Sequence, residues 1–212
     1  MTANLHDIGA IVLGGDEVGT ILARGLQRLG ASVTRSVAES AGRVDLVVIP
    51  VTDPGGLARA PLADMDEAEW IRRCEAPLNA VRVALQEAHA VLSGSGGEGA
   101  GGRIVLLVPT ISLLGAADFA AYSAVGEGAR SLAKAAARGW GAAGITINCI
   151  ALTQEQLAPG SDGEVTEKRV PPALRTPDLE NDIVALIASL ATGPAIVTGN
   201  TIMADGGNLM SI

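Results

Sequence analysis

The stretch AAYSAVGEGARS, Ala120–Ser131, holds the single tyrosine of the chain, Tyr122. A phenol can serve as a general acid or base, but its ordinary pKa near ~10 makes it a poor base at neutrality unless a cation lies beside it. The two lysines are Lys134 and Lys168. Lys134 lies three helical turns beyond Tyr122, ~18 Å along a helix that rises 1.5 Å per residue. A second candidate is LGGDEVGT, Leu13–Thr20, a glycine-rich turn after an apolar run. Turns of this form let a phosphate approach a helix N-terminus. Here Asp16 and Glu17 put carboxylates where phosphates would sit, and like charges repel. Asp16 reads better as the N-cap of the following helix. His6 and His89 lack a ligand or triad partner in sequence. Cys74 and Cys149 carry no metal-ligand spacing, so no metal site is expected and both read as buried thiols.

Alternating strands and helices must position these groups. Ile8–Leu13 reads as a buried strand, Glu17–Leu29 as an amphipathic helix ended by Gly30, and Ala31–Val37 as a second strand. Val44–Val51 is continuous and β-branched, as a central parallel strand should be. Helices are expected over 67–92 and 119–140. Between them lie a Gly/Ser-rich loop, Ser93–Gly102, and a strand, Arg103–Val108. Gly144–Leu152 is a strand, Thr153–Pro177 has no clear period, Asp178–Ala191 is a helix and Asn200–Asp205 a last strand. The pattern predicts an α/β doubly wound parallel sheet in a single domain, residues 1–212.

Composition narrows the function classes. The chain has 212 residues, 48% hydrophobic and only 2% aromatic, so the core must be aliphatic. Net charge is −8 with no basic run, which argues against nucleic acid or an anionic membrane as partner. Mean hydropathy is +0.36, yet glycines and charges interrupt every apolar run before it could span a bilayer. The start, MTANLHDIGAIVLGG, lacks a secretory pattern, so a cytoplasmic location is expected.

Over nearly its whole length the chain resembles the short-chain dehydrogenase/reductase family. VTGNTIMADGG, Val197–Gly207, is similar to the family's closing TG-x-x-x-x-x-DGG. GRIVLLVPTISLLG, AAYSA and GITINCIAL follow the order and spacing of its fifth strand, catalytic helix and sixth strand. The resemblance implies a Rossmann-like domain, usually dimeric or tetrameric and usually NAD(P)-dependent, with a Ser, Tyr, Lys and often an Asn at the active site. Tyr122 stands at the tyrosine position. Gly126 stands at the lysine position, Pro109 at the serine position and Pro77 at the Asn position. The glycine loop, with Gly14, Gly15 and Gly19, is one residue short of the family's T-G-x-x-x-G-x-G. The family's N-N-A-G aligns with Ile49, Pro50, Val51 and Thr52, and its P-G with Leu152 and Thr153.

A deletion accompanies these changes. Only Val37–Arg43 separates the second strand from VDLVVIPV, where the family has a helix, an edge strand and another helix. Seven residues cannot hold a crossover, which takes at least about 10–12. The sheet should therefore have six strands in the family order 2-1-4-5-6-7, without the wall of the adenosine pocket. Arg35 stands where an arginine meets the 2′-phosphate in NADP enzymes; with that wall gone it reads as a surface charge.

The resemblance implies a degenerate member with Tyr122 vestigial, no catalytic residue and no bound cofactor. It is similar to the inactive subunit of a heteromeric hydroxyacyl-CoA dehydrogenase of the benzylsuccinate, toluene-degrading type. The partner implied is an active homologue carrying NAD, joined through helices 67–92 and 119–140 into a heterotetramer. The run of small residues that includes Gly126 and Gly128 fits a close partner helix, or self-packing. Two alternatives stay open: a cofactor-independent lyase, isomerase or cyclase using Tyr122, and a regulatory module that binds a small ligand.

Overall fold

A computed structural model describes residues 4–14, 16–52, 58–94, 101–158 and 172–209. In chain order the elements begin with β1 (Gly9–Val12), α1 (Glu17–Arg28), β2 (Ser32–Thr34) and β3 (Leu46–Pro50). Next come α2 (Glu67–Trp70), a π turn (Ile71–Glu75), α3 (Ala76–Gly94), β4 (Gly102–Pro109), α4 (Ile111–Leu114) and α5 (Ala120–Trp140). The remainder is β5 (Ile145–Leu152), α6 (Gln154–Leu157), a π turn (Leu179–Ile183), α7 (Val184–Thr192) and β6 (Thr201–Met203).

The strands form one six-stranded sheet in the order β2-β1-β3-β4-β5-β6, every pairing parallel. This is the expected truncated order. From Ser36 to Asp45 the chain makes a single short 3-10 turn, Val37–Glu39, and goes directly into β3. β2 is thus an edge strand of only three residues.

Period-two alternation splits the core into two layers. Val47 and Ile49 of β3, Ile104, Leu106 and Val108 of β4, and Ile147 and Cys149 of β5 face α3 and α5. Their neighbours Leu46, Val48, Val105, Leu107 and Ile150 face α1 and α7. The central strands are buried on both faces, so each reads as a continuous apolar run. Leu106 and Ile150 are both 0% exposed. Truncating either to alanine removes about 2–5 kcal/mol.

Local features depart from the periodic reading. The helix expected over 67–92 contains a π turn at Ile71–Glu75, where buried Arg73 donates to Glu69 Oε1 and to the Ala58 carbonyl, each at 2.7 Å. A buried guanidinium must meet acceptors, and the widened turn lies where it does so. Thr153–Pro177 includes the four-residue helix α6, fixed by a capping box between Thr153 and Gln156; its residues 159–171 lie outside the described residues. The loop 93–102 is described only at its ends.

The C-terminal segment is sewn to β5 by side chains. Asn148 Nδ2 donates to the Val197 carbonyl at 2.8 Å, and Thr198 Oγ1 accepts from the Ile147 N–H at 3.0 Å. Buried Asp205 accepts from the backbone N–H groups of Gly207 and Leu209, at 2.9 and 2.8 Å. It is a turn-forming residue rather than an acid poised for chemistry.

Candidate functional site: the crevice at the carboxyl edge of the sheet

All six strands point the same way, so their carboxyl ends share one edge. β2 and β3 lie on opposite sides of β1, and the crevice of such a sheet opens at that switch point. The ends of β1 and β3 bring Gly14 and Thr52 there.

The chain's own side chains occupy the glycine turn. Asp16 caps α1: its Oδ1 accepts from the Gly19 N–H at 2.8 Å, as the sequence indicates. Its other oxygen, Oδ2, accepts from the Thr52 hydroxyl, tying β1–α1 to the end of β3. Arg35 is not the surface charge it reads as. Its Nε donates to the Val12 carbonyl and its Nη1 to Thr20 Oγ1, both at 3.2 Å, while Nη2 donates to the Gly14 carbonyl. The edge strand is short and only the 3-10 turn Val37–Glu39 follows it, so the guanidinium folds back onto the glycine turn. Gly14 has φ of +100°, a conformation that favours glycine. Gly19 is needed for close approach: a Cβ there would fall 2.6 Å from Arg35 Nη2 and 2.7 Å from the Gly14 carbonyl oxygen. Gly15 lies outside the described residues.

Tyr122 sits on the first turn of α5, 3% exposed, packed with Ile111 and Phe119. Pro109 ends β4, Pro77 opens α3, and Gly126 lies one turn beyond Tyr122, buried. The fold thus brings the four family positions toward the same end of the sheet, with Tyr122 the single residue of the expected type. The volume above Gly126 is filled. A Cβ there would meet the Ser112 Cβ at 2.8 Å, its Oγ at 2.9 Å and Pro109 Cγ at 3.1 Å. Ser112 Oγ lies 2.9 Å from both the Pro109 carbonyl oxygen and Glu127 Oε1. Arg130 continues this polar chain, donating to the Glu127 carboxylate at 2.6–2.7 Å and to Thr201 Oγ1 at 3.1 Å.

The second small residue of α5 also has a neighbour within the chain. A Cβ on Gly128 would fall 2.8 Å from Leu78 Cδ1. Both glycines therefore have close neighbours within the chain, on α4 and α3, and self-packing accounts for them. Sequence pattern cannot separate these readings, because small residues serve close approach of any neighbour.

A cavity of about 270 Å³ opens between these elements, lined by residues 13–14, 49–52, 77, 80, 81, 84, 122 and 125. It joins Tyr122, Pro77 and the Ile49–Thr52 segment, but neither Pro109 nor Gly126 is part of its wall. Cys149 lies in the core beneath α5, its thiol pushed up to about 11, chiefly by burial. His89 stacks on Trp140 with ring centroids 4.5 Å apart. Among the described residues no cluster of three or more His, Cys, Asp or Glu could hold a metal ion. No described helix is long and apolar enough to cross a membrane. Sequence reading missed Gln154, which is 2% exposed and has no partner for either amide atom among the described residues; no periodicity marks such a residue.

Residues 27–208 match the family model described as enoyl-(acyl carrier protein) reductase. A cis-4-hydroxycyclohexanecarboxylate dehydrogenase of Sinomonas cyclohexanicum is 29% identical over 188 residues, covering 84% of this chain and 71% of the relative. The short-chain dehydrogenase/reductase eriH of Hericium erinaceus is 27% identical over 184 residues, covering 84% and 72%. A Sinorhizobium meliloti chain described as a short-chain alcohol dehydrogenase has the same fold, with a TM-score of 0.77 at 23% identity and full coverage of both chains. A gluconate 5-dehydrogenase from Burkholderia cenocepacia, solved with NADP and tartrate, gives 0.73 at 22% identity, covering 98% and 97%. With the parallel six-stranded sheet, the tyrosine on its helix and a family model spanning most of its length, the chain belongs to the short-chain dehydrogenase/reductase family.

Proposed function

We propose that this chain is a catalytically silent family member that assembles with an active NAD-dependent homologue of the hydroxyacyl-CoA dehydrogenase type. The observation that carries the reading is the packing at Gly126. Ser112 and Pro109 fill the space in which a lysine side chain would have to start. Without a lysine held there, Tyr122 lacks the cation that the family places beside its catalytic phenol.

The residues at the glycine turn do not fit a dinucleotide either. The Asp16 carboxylate takes the helix N-terminus that a pyrophosphate would need, and its charge opposes a second anion. The Arg35 guanidinium is engaged by carbonyls and a hydroxyl of the turn. In this reading the NAD belongs to the partner subunit. For assembly, the support lies on the α2–α3 segment, where Ile71 and Val83 are exposed apolar residues.

The test is reconstitution. Affinity capture from the native organism, followed by native mass spectrometry, should recover a family homologue with Tyr and Lys at the active positions, in a heterotetramer. Calorimetry on the chain alone should give no heat with NADH or NADPH. Micromolar binding of either overturns the reading. A second reading, a cofactor-independent enzyme, draws on the place of Tyr122 in the cavity wall. It requires Tyr122→Phe to abolish turnover of a pathway intermediate by the isolated chain, and unchanged turnover removes it.

A further inference from the structure

We infer that a groove at the amino edge of the sheet, between the C-terminal half of α5 and the turn before β6, binds a small phosphate monoester. The groove measures about 570 Å³, within the ~300–1,000 Å³ of small-ligand pockets, and is lined, among the described residues, by Lys134, Ala137, Arg138, Thr198 and Gly199. Its place at that edge is fixed by the Gly199 N–H, which donates at 2.7 Å to the Ile147 carbonyl near the start of β5. Helix α5 begins beside the crevice with Tyr122 and runs back along the sheet, so Lys134 and Arg138 lie ~18 and ~24 Å further along it. The groove shares no lining residue with the crevice, and its occupancy does not depend on whether this chain takes a dinucleotide.

The charge selects the chemistry. The chain carries a net −8, yet no carboxylate lies three or four residues from Lys134 or Arg138 along the helix, and the segments 144–148 and 193–201 contain none. One turn earlier, Arg130 is neutralised by the Glu127 carboxylate at 2.6–2.7 Å. Among the described residues neither Lys134 nor Arg138 is paired with a carboxylate. Like charges four residues apart on a helix repel, and a dianion between them turns that repulsion into attraction. A phosphate monoester carries about two negative charges at neutral pH and three acceptor oxygens, which a guanidinium can meet with two parallel N–H groups. The floor of the groove is made of small residues. Ala137 is buried, and a Cβ on Gly199, whose φ is +72°, would stand only 3.7 Å from the Ala137 Cβ. The turn is held in place by Thr198 Oγ1, which accepts from the Ile147 N–H. The two residues before it, Ile196 and Val197, are 84% and 36% exposed and offer apolar surface to the organic part of an ester.

Phenyl phosphate is a suitable probe, with phenol as its neutral counterpart and inorganic phosphate as the anion without an organic part. In amide NMR of the full chain, phenyl phosphate should move the resonances of Lys134, Arg138 and Gly199, with a Kd on the order of 1 mM at low salt. Inorganic phosphate should move the same resonances with about threefold weaker binding, and phenol should leave them in place. Lys134→Gln and Arg138→Gln should each weaken phenyl phosphate binding about fivefold or more. Arg82→Gln removes the same charge from the exposed face of α3 and should change it by less than about twofold. Should a variant fail to fold, the resonances moved in the unaltered chain decide. Absence of shifts at the groove, equal shifts with phenol, undiminished binding in folded Lys134→Gln and Arg138→Gln, or an equal loss in Arg82→Gln overturns the inference. Each of these outcomes leaves the silent-subunit reading intact, which falls on micromolar binding of NADH or NADPH instead.

Discussion

Gly126 and Ser112 share a space too small for one more carbon: a Cβ on Gly126 would stand 2.8 Å from the Ser112 Cβ. Ser112 belongs to α4, held by the turn that follows β4, and it cannot withdraw without disturbing its contacts to Pro109 and Glu127. Gly126→Ala should therefore destabilise the fold by about 1–2 kcal/mol in urea denaturation. Overpacking of about 1–3 kcal/mol outweighs the ~1 kcal/mol that alanine gains in a helix. Adding Ser112→Gly should restore much of the loss. Gly128→Ala is the control: its neighbour is the end of the flexible Leu78 side chain, so it should be neutral or slightly stabilising. Equal effects at 126 and 128 would remove the steric account.

The glycine turn yields a second expectation. Asp16→Ala removes the cap on α1 and the link to Thr52, and should lower stability by about 1–2 kcal/mol. Arg35→Lys keeps the charge but cannot reach Val12, Thr20 and Gly14 together, and should lose about 1 kcal/mol. Neither change should create NADH binding detectable by calorimetry, because the Gly126 packing stays in place. A micromolar site in Asp16→Ala would show that the carboxylate alone blocks the cofactor.

Thiol chemistry supplies a third. With its pKa pushed to about 11 by burial, Cys149 should resist iodoacetamide in the native protein at pH 8 and react readily once unfolded. The folded chain holds the proton more tightly than the unfolded one. Stability contributed by this group is complete below about 9 and is lost as the pH rises to about 11. Peptide mass mapping would read the labelling. Rapid native modification of Cys149 at pH 8 would contradict its buried position.

The acid limb should depend on Asp182. Hydrogen bonds from Arg175 and from the Asp178 N–H hold its carboxyl below the ordinary value of 3.8. That stability is present above the ordinary carboxyl range and is lost as the pH falls through the depressed value. Asp182→Asn should flatten the dependence below about pH 4. The effect should be small, because the Arg175 end of the pair is 70% exposed. An unchanged acid limb would assign it to other carboxylates.

Much of the fold is legible from local pattern. Continuous apolar runs mark β3, β4 and β5 because both faces of a central parallel strand are buried. Beside the family pattern, the missing edge strand is legible from the length of the connection, since Val37–Arg43 is too short to cross over. The π turn at Ile71–Glu75 is not legible, because it depends on where the Arg73 guanidinium finds the Ala58 carbonyl. Nor is the four-residue α6, which is too short to show a period. Arg35 is misread for a related reason: a charged side chain beyond an edge strand looks solvated until a neighbouring turn turns its carbonyls toward it.

By itself the sequence determined which chemical groups are present: Tyr122 without a lysine one turn on, Pro109 and Pro77 in place of hydroxyl and amide, and Asp16 at the head of the first helix. It also determined the alternation of strands and helices, because periodicity and loop length are properties of neighbouring residues; the order of the strands in the sheet was what the family resemblance implied. The tertiary structure alone decided what fills the altered places. Ser112 closes over Gly126, Arg35 folds onto the Gly14 turn, Leu78 covers Gly128, and an aliphatic chamber remains beside Tyr122. Each joins segments distant in sequence, and their meeting is set by sheet register and helix packing, to which no local pattern is sensitive.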